Sequence, residues 1–147
     1  MTESDIQELA RNYLAYFLND GAIEASEFRA VETMWRLCRE DAKIAFRVIW
    51  VIVNMVEADN NKALSFLGTG PLEDLINFHG NDVLGLLIEA ARENRNFCVA
   101  LSCVWKGALH EHSWSRLAGE LPGIRAHHGA ILAQAEKSRP MSTAAAD

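Results

Sequence analysis

The sequence predicts a single all-α domain, and three observations carry that expectation. Apolar residues recur at a period near 3.6 in successive blocks, cap-forming residues stand between the blocks, and 147 residues that are half apolar suffice for one hydrophobic core. The pattern predicts six to eight short helices over residues 1–137, packed as antiparallel hairpins in a bundle or an α-solenoid-like stack. A polar, small-residue tail from Ser138 is expected to be disordered.

Element by element, Ser4 with Gln7 three residues later reads as a capping box, followed by the stripe Ile6, Leu9, Tyr13, Phe17 and a stop at Asp20-Gly21. A second helix starts near Ser26, with Val31, Met34, Trp35 and Cys38 expected on its inner side. Asp41 can cap a third, Ala42 to Glu57. Its many β-branched residues would also suit a strand, but the unbroken length favours a helix, apolar on most of its circumference and hence central. Asp59 or Asn60 caps a short helix through Leu67, closed by Gly68. Pro71 restarts the chain with Glu73 in the first turn, and Gly80 is placed as the residue that ends that helix. Asn81 caps the next, and Asn94 to Asn96 separate it from Phe97, Leu101, Val104 and Trp105. Beyond Gly107, Ser113 reads as a cap, Pro122-Gly123 as a break, and Ile124, His128, Ile131, Leu132 and Ala135 as a last helical stripe.

The run Gly70-Pro71-Leu72-Glu73-Asp74-Leu75, then His79-Gly80, Ala90-Ala91-Arg92-Glu93, Phe97, Leu101 and Val104-Trp105, resembles a family of uncharacterised bacterial helical domains of unknown function. The resemblance covers under a third of the chain at motif level. It implies a helical fold and a bacterial or phage origin, and supplies no reaction, substrate or cofactor.

Net charge is -6, and it is uneven. Residues 1–30 hold six acids against Arg11 and Arg29, and residues 57–82 hold five against Lys62, so the remainder of the chain is slightly basic. Side by side in the fold, these segments would form one acidic surface. The balance argues against nucleic-acid binding, which needs clustered Lys and Arg. Three cysteines inside apolar helical patterns fit buried thiols in a reducing compartment. Without a secretory pattern or a bilayer-length apolar run, the expectation is a cytoplasmic protein with no membrane partner.

No local pattern reads as an active site. Glu73 and Asp74 point about 100° apart on a helix, and His79 lies off the face of Glu73. His110, Glu111 and His112, with His127 and His128, lack the spacing of a metal site, so neither a metal nor another cofactor is predicted. The sequence assigns no role to those four histidines. Trp114, beside Arg116, is the tryptophan expected to be exposed and to anchor an interface. The leading expectation is therefore a non-catalytic protein–protein interaction module, in its most concrete version an inhibitor or immunity-type protein. It would bind a basic protein through Glu24, Glu27, Glu73, Asp74 and Trp114. The alternative is a small-ligand binder or enzyme with a pocket around Glu73, His79 and Arg92. Self-association as a homodimer is a third reading.

Overall fold

Residues 1–19 and 21–137 are described by the structure, a computed structural model; of these, the side chains of 132, 133 and 135–137 are not described. Thr2 opens helix α1 (Glu3–Leu18): its hydroxyl accepts from the Asp5 N–H at 3.1 Å while the Asp5 carboxylate accepts from the Thr2 N–H at 2.7 Å. The box thus stands two residues before the expected Ser4. Helix α2 (Ala25–Glu40) begins where Glu27 turns back on its own N-terminus. Helix α3 (Ala42–Met55) is capped by Asp41 as expected, its carboxylate accepting from the Ile44 N–H at 3.1 Å. The β-branched run is helical, and Ala45, Val48, Ile49, Ile52 and Val53 are buried on it.

Asn60 caps α4 (Asn61–Leu67), but Gly68 does not close it. The chain continues through a π-helical turn, Gly68–Leu72, into α5 (Glu73–His79), so the predicted helix–turn–helix is a helical run with one widened turn. Such widening is common where a helix carries a functional site. Gly68 is there for space, since a Cβ on it would stand 2.7 Å from the Cys103 Cβ and closer still to the Ala100 carbonyl oxygen.

Gly80 ends α5 at φ 55° and ψ -127°, a conformation open to glycine and strained for any L side chain. Gly80→Ala should lower stability by about 1–2 kcal/mol. Chemical denaturation checks this: the midpoint should fall with the slope against denaturant unchanged.

Helix α6 (Asn81–Glu93) leads to Asn94, which caps α7 (Arg95–Ser102) by accepting from the Phe97 N–H at 3.0 Å. The expected punctuation at Asn94–Asn96 also joins elements. Asn96 donates to the Val53 and Val56 carbonyls at 2.9 and 3.1 Å, and Arg95 donates to the Ala58 carbonyl, so α7 satisfies carbonyls at the end of α3. A 3₁₀ turn (Lys106–Ala108) then leads to α8 (Glu111–Lys137).

The break expected at Pro122-Gly123 does not occur. Proline inside a helix costs about 3 kcal/mol. Leu117, Leu121 and Ile124 are all buried around it, at roughly 1.5–3 kcal/mol each, and outweigh that cost. Beyond them, the His128 ring nitrogen bonds the Ala91 carbonyl at 2.7 Å and holds α8 to α6. The disorder expected from Ser138 lies outside the described residues.

One core cluster draws side chains from every α-helix. Helices distant in sequence pack together, α1 on α4, α2 on α5 and α3 on α7. A solenoid, whose units touch only their neighbours, would lack these contacts, so the arrangement is a single helical domain. There is no strand among the described residues.

Candidate functional site

The two acidic segments do fold against one another. Helix α1 packs on α4, and α2 packs on the π turn and α5. Where they meet lies a cavity of about 240 Å³ whose lining includes Tyr13, Phe17, Trp35, Phe66 and Asp74. The stripe of α1 supplies Tyr13 and Phe17, whose ring centres are 4.9 Å apart, and Phe66 of α4 packs 4.5 Å from Phe17. The widened turn brings Thr69, Gly70 and Pro71 to the cavity.

Two polar groups in this cavity have no partner among the described residues. Tyr13 is 4% exposed, and its hydroxyl makes no hydrogen bond. The Asp74 carboxylate makes neither a hydrogen bond nor an ion pair, and its partial burial, with the charge of Glu73 beside it, raises its pKa above the ordinary carboxylate value. Burial pushes the Tyr13 phenol upward too, with the Cys38 and Asp74 charges adding to it. Cys38 is pushed up to about 12, first by burial and then by Asp74. Both therefore remain neutral at physiological pH, and Asp74 is the one formal charge lining the cavity.

The other residues singled out from the sequence have different surroundings. Glu24 is exposed at the start of α2, where its N–H donates to Glu27 Oε2 at 3.2 Å. Glu27 is 9% exposed and engaged in that contact, so its carboxylate serves the helix start and is withdrawn from the surface. Glu73 accepts from the Trp105 backbone N–H at 2.7 Å and fastens the segment after α7 to α5. A ring nitrogen of His79 bonds the Cys38 carbonyl at 2.7 Å, joining the end of α5 to α2.

Arg92 pairs with Glu89 and Glu120 on α6 and α8. His79 and Arg92 line separate cavities, and Glu73 lines neither, so the fold does not assemble the expected Glu73–His79–Arg92 pocket. The Arg92 groove is larger, about 430 Å³, but both sides of its ion pairs are satisfied within it or beside it. No group of three or more His, Cys, Asp or Glu is arranged to hold a metal among the described residues.

Trp114 is half-buried, whereas Trp35 is 51% and Trp105 69% exposed. The inner side of α2 is formed by Ala30, Met34, Leu37 and Cys38, which turns the neighbouring Trp35 to the rim of the cavity. There the Arg39 guanidinium stands 4.5 Å from the Trp35 ring centre and 5.3 Å from that of Phe78. Phe28, Glu32 and Trp35 follow one another at helical spacing, and all three are exposed. The sequence pattern hides this stripe because it places Trp35 with Val31, Met34 and Cys38 on the inner side of the helix. The 28–32–35 spacing, with a carboxylate between two aromatics, was the available signal.

Fold and site together define an all-α domain with a small aromatic cavity where helices of the two acidic segments meet. The chain belongs to a family of unknown function, DUF6869, which it matches over residues 19–121. That span takes in α2 to α7 and the first part of α8, and hence every cavity residue except those of α1. No curated protein and no solved structure is significantly similar to the chain.

Proposed function

We propose that the chain is a non-catalytic interaction module, an inhibitor or immunity-type protein of the bacterial cytoplasm that binds a basic protein partner. The observation that carries this reading is the meeting of the two acidic segments at one face, where exposed aromatic side chains flank unpaired carboxylate. Phe28, Trp35 and Phe78 are 47–53% exposed there, with Glu32 between the first two on α2. Exposed aromatics beside complementary charge are the usual anchors of protein interfaces. The polar groups otherwise available for acid–base chemistry, Glu73 and His79, are each held in a hydrogen bond to a distant backbone. That use favours a binding role over a catalytic one.

Affinity capture from the host, comparing wild type with the Glu24→Lys/Glu32→Lys variant, tests the reading. Wild type should retain one stoichiometric basic protein at low salt and release it at high salt. The reversed variant, with its melting temperature checked, should bind at least tenfold more weakly. Equal capture by both proteins, or recovery of the chain's own copies alone, would sink the acidic-face reading; light scattering identifies the second case.

A further inference from the structure

The cavity between α1, α2 and α5 has features that the acidic face alone does not require. Four of its lining residues are aromatic, one is a carboxylate, and no basic side chain is among them. Aromatic faces carry partial negative charge and attract cations, most strongly where water is excluded. The carboxylate is only half-buried but unpaired, and the Tyr13 hydroxyl, which makes no hydrogen bond and keeps access to solvent, adds an acceptor.

One unpaired carboxylate among aromatic walls favours a positive guest, although the Arg39 guanidinium already stands over the Trp35 ring at the rim. The rest of the lining narrows the kind of cation. A metal ion would need several oxygen ligands, and this cavity offers one carboxylate. Val31, Met34 and Pro71 present apolar surface, which suits carbon attached to the charge. The volume, about 240 Å³, falls below the usual range for drug-sized ligands and suits a guest the size of one side chain. The exposed Phe28–Glu32–Trp35 stripe leads to the rim, so a protein seated on the acidic face passes the cavity mouth.

We propose that the cavity recognises an alkylammonium group, and that the partner of the acidic face presents it as a lysine side chain. The ammonium meets the Asp74 carboxylate and the Tyr13 hydroxyl, while its methylenes lie against Phe17, Trp35 and Phe66. The assignment rests on the interaction reading above, and it concerns one anchor within that surface. Gly70 lines the site beside Tyr13, and a Cβ there would stand in ordinary contact, 3.7 Å from the Tyr13 hydroxyl.

The test is an NMR titration of the full chain, following the Trp35 indole and the Gly70 and Asp74 amides. Nα-acetyl-lysine N-methylamide is the probe, the norleucine analogue is its neutral counterpart, and butylammonium is the free amine. The lysine derivative should give saturable shifts at all three signals, and the norleucine derivative should bind at least tenfold more weakly. Asp74→Asn should weaken the lysine derivative by tenfold or more, and Tyr13→Phe by several-fold, each variant keeping the wild-type spectrum elsewhere. Equal binding of norleucine, or no saturable shift with any amine, overturns the proposal. Binding of butylammonium without the lysine derivative overturns the side-chain assignment and identifies a site for free amines. The titration reads the cavity alone, and capture by the Glu24→Lys/Glu32→Lys variant reads the acidic face, so the two proposals fail separately.

Discussion

Gly68→Ala should destabilise the protein by about 3 kcal/mol, the largest effect expected of any one-carbon addition in the chain. The new methyl would lie 2.7 Å from the Cys103 Cβ and nearer still to the Ala100 carbonyl oxygen. Ala100 is buried within α7 and its carbonyl is backbone, so the strain cannot be relieved by a side-chain rotation. Either α4 and α7 separate, opening the core at Leu64, Leu67 and Leu101, or the π turn rewinds and shifts Gly70 and Asp74 away from the cavity. For a chain of this size the loss should appear as a fall in melting temperature of roughly 6–12 °C. Gly119→Ala in α8 is the internal control. A Cβ there meets open space, so the better helix former should be neutral or stabilising by up to about 1 kcal/mol. Equal melting temperatures for the two variants would contradict the close approach of α4 to α7.

Asp74→Asn should have two opposite effects: loss of cation binding and a gain in stability. A partly desolvated carboxylate without a partner disfavours the folded state when ionised, so removing its charge should add about 0.5–1 kcal/mol at neutral pH. That figure is kept small because the group is half-exposed and screened. The sign follows from linkage. The folded pKa lies above the unfolded value of 3.8, so the stability associated with the neutral acid is complete below 3.8 and is lost as pH rises through the folded pKa. The variant's advantage is accordingly absent in acid and grows as pH rises through that window.

Around Asp74, Glu73 is the other carboxylate and opposes its ionisation, while Tyr13 on α1 and Cys38 on α2 remain neutral throughout. Arg39 on α2 is engaged over Trp35 and Phe78 at the rim. Urea unfolding of both proteins at several pH values measures the difference directly. A destabilised variant would mean that Asp74 holds the fold together.

The helices were legible wherever a cap adjoined an apolar stripe, as at Asp41 before Ile44 and Asn94 before Phe97. The sequence reading failed where a local breaker was overruled by packing. Pro122 looked like a terminus, yet the buried residues on either side carry α8 through it. Gly68 looked like a stop, yet its role is to admit α7, a long-range requirement that no window of sequence displays. The acidic segments were visible from charge alone, and their contact in space required the structure.

The cavity was hidden because its parts come from three separated stretches. Tyr13 and Phe17 read as ordinary core, and Trp35 as the inner side of α2. Of the acids named beforehand, Asp74 lines the cavity and Glu24 is exposed, whereas Glu27 and Glu73 hold backbone N–H groups. An acidic residue that caps a helix and one that waits for a partner look alike in sequence. Only their hydrogen bonds separate them.

The most direct measurement is the melting temperature of wild type and Asp74→Asn, each with and without excess Nα-acetyl-lysine N-methylamide. A ligand that binds only the folded state must raise the melting temperature. The account predicts that the free variant melts above free wild type, and that the lysine derivative raises wild type alone. A variant that melts lower, or that gains as much from the lysine derivative as wild type does, would contradict it.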